Sequence, residues 1–210
     1  MTFWIRAGGC LFIALLSAIC IPGSADNLQA VQDYNQAVEL AYQGKYTEAL
    51  GYVDQALEEN GNFTLAFVTR AGILNPLGRY PEAVEAADQA ITRNPEQAEA
   101  WKNRASALNQ MGQYEEGLAA ADRGAAMLDP NLAEAWVNQG TALIGLKRYS
   151  EALSASERAL AQNPGPEAAH QNRETALQSL SPVTTQIPSS ITTALMALAS
   201  GTGLFLLRKI

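Results

Sequence analysis

Residues 133–164 read AEAWVNQGTALIGLKRYSEALSASERALAQNP. Trp136, Gly140 and Leu143 follow one another at spacings of four and three. That is the helical period, and it predicts a helix from about Ala133 to Leu146. Ala152, Ser156 and Ala159 repeat the spacing and predict a second helix that begins near Tyr149. Small residues on the facing columns let the two helices pack closely and antiparallel. Pro164 stands where the second helix must stop, since proline has no N–H to donate to a continuing helix.

The unit recurs. Segments starting at Ala30, Thr64, Ala98 and Ala133 align column by column. The clearest column is a tyrosine followed three residues later by a small residue: Tyr46/Ala49, Tyr80/Ala83, Tyr114/Gly117 and Tyr149/Ala152. The tyrosines are offset by 34, 34 and 35 residues. A period of this size means stacked two-helix units rather than one globular core, and such stacks usually bind proteins and rarely catalyse. Gly140 shares its column with Ala37, Ala71 and Ala105, and Trp136 shares its column with Phe67 and Trp101. Asp33 replaces the aromatic in the first unit, as a terminal repeat permits. Gly44, Gly78 and Gly112 fall where a first helix needs a left-handed C-cap. Pro95, Pro130 and Pro164 fall just after the second helices, with one extra residue near Gly124–Pro130 in the third unit.

These columns resemble the tetratricopeptide repeat. The family pattern is met by Trp136, Gly140, Leu143, Tyr149, Ala152, Ala159 and Pro164, and nearly as well by Ala71, Leu74, Gly78, Tyr80, Ala83, Ala90 and Pro95. The resemblance covers about residues 30–166, with repeats at 30–63, 64–97, 98–132 and 133–166. Asp33, Gly117, Gly124 and Lys147 depart from it and question the helix packing locally. A polar helical stretch, Glu167–Leu180, follows and reads as the helix that solvates the end of the stack. The resemblance implies an all-α, right-handed superhelical solenoid over residues 26–180.

Both ends of the chain are apolar. Arg6, the run Ala7–Ile21 and a small-x-small site at Gly23 and Ala25 make a signal peptide over residues 1–25, with cleavage expected after Ala25. An uncut signal anchor is the alternative. A lipoprotein reading through Cys20 is disfavoured by the bulky Ile19 before it. Ser181–Ser190 is an uncharged Ser/Thr/Pro-rich spacer. Residues 191–207 form an uncharged apolar run of about 25 Å as a helix, the short end of a transmembrane span. Arg208 and Lys209 form a basic tail, which with Arg6 places the repeats on the extracytoplasmic side and the C-terminus in the cytoplasm. Ala197/Gly201 and Ala199/Gly203 are small-xxx-small pairs that permit close contact with another membrane helix. The tail also has the layout of a processed sorting signal, although it has no Leu-Pro-x-Thr-Gly motif.

Between Asp26 and Glu174 lie all 21 acidic residues and 11 of the 14 basic ones, a net charge of −10. That excludes a phosphate-neutralising face, so no nucleic acid is expected. Cys10 and Cys20 both lie in the N-terminal run, leaving no disulfide in the repeats. The one histidine, His170, has no ligand set around it, and neither a Gly-rich phosphate loop nor an acid/base pair is visible. No catalysis, cofactor or metal is expected.

The resemblance further implies that the first helices line a concave groove, and that residues two after the packing aromatic project into it. That column holds Asn35, Thr69, Asn103, Asn138 and Asn172. A carboxamide carries an acceptor and two donors, so an even row of them suits the backbone of an extended peptide. The alternative is a structural row, since asparagine is common in that column across the family. Lys102, Ser106 and Thr141 neighbour the row, as do Asn109, Tyr34, Val68 and Val137. The family's carboxylate clamp is incomplete: Ser106 replaces an asparagine, and Ala168 and Asn172 replace a basic pair. The expected function is a membrane-anchored scaffold that binds a protein segment in its groove and serves assembly of a membrane or envelope complex. The alternative is an exported surface protein whose repeats serve adhesion or self-association.

Overall fold

The structure, a computed structural model, describes residues 24–124 and 133–181. The expected signal peptide, spacer, transmembrane helix and basic tail lie outside these residues, except for Ser24, Ala25 and Ser181. Among the described residues there are nine helices and no strand: α1 (Ser24–Tyr42), α2 (Tyr46–Glu59), α3 (Thr64–Leu74), α4 (Tyr80–Arg93), α5 (Ala98–Gln110), α6 (Tyr114–Asp122), α7 (Ala133–Gly145), α8 (Tyr149–Gln162) and α9 (Glu167–Leu180). Odd-numbered helices are the first, or A, helices of their units, and even-numbered ones are the B helices. Helix α1 starts six residues before the first repeat column at Ala30. Its added turn is tied down where Asn60 Nδ2, at the end of α2, donates to Asn27 Oδ1 at 3.0 Å.

Each A helix turns into its B helix through the same left-handed residue. Gly44, Gly78 and Gly112 have φ of 75°, 72° and 74°. The amide after each donates to a carbonyl of the A helix, as Arg79 N does to Leu74 O at 3.1 Å. In the fourth unit Lys147 takes the position with φ of 60° and the same bond, Arg148 N to Leu143 O at 2.8 Å. The return from B to A also repeats. Asn60, Asn94 and Asn163 each accept, through Oδ1, the backbone N–H two residues on, at 3.0, 3.1 and 2.9 Å. These Asx-turns do for Asn60-Gly61 what the proline does in later units.

Packing within a unit rests on small side chains. Ala37, Ala71 and Ala105 on the A helices and Ala49, Ala83 and Ala152 on the B helices are wholly buried. Two departures from alanine have local causes. A Cβ on Gly117 would stand 2.3 Å from Asn109 Oδ1, so that column must be glycine once Asn109 lies over it. A Cβ on Gly140 would stand 3.2 Å from both Ser156 Oγ and Asn172 Nδ2. In the first unit, where Asp33 holds the aromatic column, Tyr34 and Phe63 stack with centroids 4.9 Å apart.

Between units, α2, α4 and α6 each reach the next A helix through a polar row. Asp54 accepts from Arg70 Nε at 2.7 Å, Asp88 from Arg104 Nε at 2.7 Å, and Asp122 from Gln139 Nε2 at 2.6 Å. The aromatic column is covered by guanidinium groups: Arg93 lies over Phe67, Arg123 over Trp101 and Arg158 over Trp136. In the first turns of α4 and α8, Glu82 and Glu151 each accept two hydrogen bonds from Arg79 and Arg148, which hold both carboxyls below their ordinary range. That contribution is present above the ordinary carboxylate pKa and is lost as the pH falls through the lowered one. These pairs are at the surface, where solvent screens them.

Lys147 is the one non-glycine residue at positive φ among the described residues. Holding it there costs about 1–2 kcal/mol, partly offset by the greater entropy that glycine loses on folding. Lys147→Gly is therefore expected to stabilise the array by about 0.5–1 kcal/mol. A higher urea midpoint, followed by far-UV circular dichroism, would register the gain. An unchanged or lower midpoint would show that the lysine is unstrained.

Candidate functional site

Successive A helices touch one another from α1 through α9, whereas no two B helices touch among the described residues. The A row therefore forms the inner side of the stack. What closes that row is a set of asparagines. Asn103 Nδ2 donates to Val68 O at 3.0 Å, Asn138 Nδ2 to Lys102 O at 3.1 Å, and Asn172 Nδ2 to Val137 O at 3.2 Å. Each joins an A helix to the one before it. A second set runs the other way, with Asn75 Nδ2 donating to Asn103 O at 3.0 Å and Asn109 Nδ2 to Asn138 O at 2.8 Å. Carbonyls inside the A helices accept these bonds on a second lone pair. The amide oxygens of Asn75 and Asn109 are buried with no hydrogen-bond partner.

The asparagine column thus holds the A helices together. Asn103 is buried, and Asn138 and Asn172 are partly buried. Asn172 also donates to Thr141 Oγ1 at 3.0 Å, while Thr141 donates to Val137 O at 3.0 Å. Both residues serve the α7–α9 junction and line neither hollow of the groove. Asn35 has no earlier A helix to reach, and it is exposed.

Two hollows lie along the A row. One, of about 420 Å³, is lined from α1, α3 and α5 by Tyr34, Val38, Tyr42, Val68, Thr69, Gly72, Ile73, Glu99, Lys102 and Asn103, with Tyr46 of α2. The next, of about 280 Å³, shares Gly72, Lys102 and Asn103 and adds Asn75, Ser106, Glu134, Val137 and Asn138. Thr69, Lys102, Asn103, Ser106 and Asn138 are thereby brought into one groove. Tyr42 stands 87% exposed at its rim. Tyr42, Val38, Glu99 and Glu134 were not singled out by the sequence reading. They share the face of the asparagine column at helical spacing, which was the available signal.

Lys102 is held between two carboxylates. Its Nζ pairs with Glu99 within α5 and lies 3.6 Å from Glu134 Oε2 on α7. A peptide carboxylate approaching Lys102 would meet both, so the groove does not suit a terminal carboxylate. A further hollow of about 270 Å³ lies between α6, α7 and α8. Among its polar groups Asp122 pairs with Gln139, Arg148 pairs with Glu151, and Arg158 lies over the Trp136 ring. No cluster of His, Cys, Asp and Glu among the described residues could hold a metal. The imidazole Nε2 of His170 lies 2.9 Å from Pro164 O at the turn before α9.

Asn103→Ala should lower stability by about 1 kcal/mol through the lost inter-helix bond. Asn35→Ala, at an exposed position, should stay within about 0.5 kcal/mol of wild type. Urea unfolding of both variants without any ligand reads the difference. Equal midpoints would show that the row is not a structural tie.

Comparison with known proteins agrees with this architecture. Residues 77–131 and 110–166 match the sequence profile described as tetratricopeptide repeat. No curated protein matches the chain in sequence. Among solved structures it is similar to a thermophilic tetratricopeptide protein of Thermus thermophilus, at 19% identity and a TM-score of 0.62, over 81% of this chain and 97% of that one. It is also similar to MamA from Desulfovibrio magneticus RS-1, at 21% identity and 0.59, over 72% and 90%. The first tetratricopeptide domain of Spaghetti (RPAP3), bound to the HSP90 peptide SRMEEVD, matches at 22% and 0.52, over 56% and 92%. The profile match spans residues 77–166, and the described helices share the fold of the tetratricopeptide arrays they resemble.

Proposed function

We propose that this protein is a membrane-anchored, extracytoplasmic scaffold that holds an extended segment of a partner protein in the groove along α1, α3, α5 and α7. The observation that carries the reading is the continuous pair of hollows on the A row, rimmed by an exposed tyrosine and joined at Gly72, Lys102 and Asn103. A bound HSP90 peptide in the RPAP3 domain supports peptide capture by an array of this kind. Thr69, Lys102, Asn103, Ser106 and Asn138 are the groove contacts of this reading. Asn35 at one end and, past the two hollows, Thr141 and Asn172 at the α7–α9 junction would meet a segment that ran on toward the ends of the A row. The inter-helix bonds take one amide donor of Asn103 and Asn138, leaving the other donor and the oxygen of each for a ligand.

Anchoring rests on the uncharged run 191–207 and the Arg208-Lys209 tail. Among the described residues no helix is long and apolar enough to cross a membrane. The reading therefore assigns the anchor to that terminal run, whose small-xxx-small pairs would also admit a partner helix. Assembly of a membrane or envelope complex is the task that such a tethered groove would serve.

A photo-crosslinking residue at Ser106 in the groove, compared with one at exposed Glu85 on α4, tests the reading in native membranes. The expected outcome is one defined partner trapped from Ser106 and not from Glu85, in a fraction that resists alkaline extraction. Trapping from Glu85 alone would move the site to the B face. Release by alkali would remove the anchor.

A further inference from the structure

We infer that the groove selects an extended peptide carrying a bulky apolar side chain and, about five or six residues away, a lysine or arginine. The inference rests on the groove being the binding site and adds what that site recognises. It comes from how the lining changes along the A row.

The end formed by α1 and α3 is apolar. Tyr34, Val38 and Tyr42 face Val68 and Ile73 across a hollow of about 420 Å³, room for a large side chain. Solvent reaches this end freely. Leu28 and Val31, earlier in α1, are 62% and 44% exposed, and Tyr42 is 87% exposed. Leu28, Val31, Val38 and Tyr42 recur at spacings that keep them on one side of the helix, alongside a separate run of Gln29, Gln32, Gln36, Glu39 and Gln43. The buried residues of α1 are Ala30, Ala37 and Leu40, which leaves Leu28, Val31 and Tyr42 exposed and Val38 half-buried.

The end formed by α5 and α7 is acidic. Glu99 and Glu134 flank a single lysine, Lys102, leaving a net charge of −1. Glu134 is the more open carboxylate, 63% exposed and 3.6 Å from the ammonium. A second cation can pair there without displacing the first. The described array around it is strongly acidic, so a basic segment is favoured over an acidic one at long range as well. Glu99 and Lys102 form the far wall of the same hollow, and Glu134 stands beyond them on α7. From the α1–α3 side of the hollow to Glu134 is at least two helix spacings, about 16–20 Å at the usual interaxial distance. An extended chain covers that in about five or six residues.

Panning a phage-displayed dodecapeptide library on the full chain in detergent tests this. Wild type should enrich peptides that pair a bulky apolar residue with Lys or Arg at that spacing. Binding of the winning peptide should fall at least about tenfold with Tyr42→Ala, and Glu134→Lys should abolish the preference for the basic residue. Both sites are exposed, so folding is preserved, which far-UV circular dichroism checks. Enriched peptides that lack the pair, yet are displaced by a bulky substitution at Ser106, would overturn the inference and leave the groove reading standing. Absence of any enrichment would overturn both.

Discussion

The interaction on which the structure turns is the hydrogen bond from an asparagine side chain to a main-chain carbonyl of the neighbouring A helix. A stack of two-helix units has no single core, and each unit is held only by its neighbours. Apolar contact alone would let adjacent A helices slide, because alanine faces are smooth and shallow. A carboxamide that must find one carbonyl removes that freedom. Asn103 is fixed at both ends: its side chain donates to Val68 O and its own carbonyl accepts from Asn75. Asn138 stands in the same relation to Lys102 and Asn109. Register along the middle of the row is thus set by directed bonds, and the groove surface follows from it.

That constraint explains the residues that break the repeat pattern. Gly117 is a glycine because Asn109, turned to reach α7, places its amide oxygen where a methyl group would stand. Gly140 gives way to Asn172 and Ser156. Ser156 sits in an apolar column and satisfies its hydroxyl on Ala152 O, 2.7 Å away. Helix α3 ends at Leu74, two columns earlier than α5 and α7, where Pro76 supplies no amide. Asn75, in the turn that results, makes the bond to Asn103 O.

The repeat architecture was legible in the sequence because it depends on local periodicity. The tyrosine column, the small columns and the glycine turns mark helices and their ends without knowledge of any long-range contact. Lys147 was legible as a departure, and the structure shows it adopting the glycine's conformation rather than loosening the turn. The asparagine column was visible too, yet its bonds were not. Periodicity tells which residues share a face; it does not tell that a carbonyl of the preceding helix lies 3.0 Å from Asn103. The same limit hid the pairing of Lys102 with two glutamates, one of them on the next A helix. Tyr42 was hidden for a different reason. It is the last residue of α1, at the edge of the aligned pattern, where a column carries least weight.

The side chains that resemble ligand hooks are also those that hold the groove in shape, and this bears on how such a site achieves affinity. An extended peptide loses conformational freedom when it binds, and a groove that had to order itself at the same moment would add to that cost. Here one amide donor of each of Asn75, Asn103, Asn109 and Asn138 is already bonded before any ligand arrives. The surface is preorganised, so binding spends little on the protein side. The adjustable side chains are confined to the walls, where Tyr42 and Glu134 are exposed. On the proposed reading, a rigid floor with adjustable walls would let the groove hold one segment in register while tolerating variation around its anchor residues. It follows that loss of binding on removing Asn103 would by itself say nothing about ligand contact, whereas loss on trimming Tyr42 would.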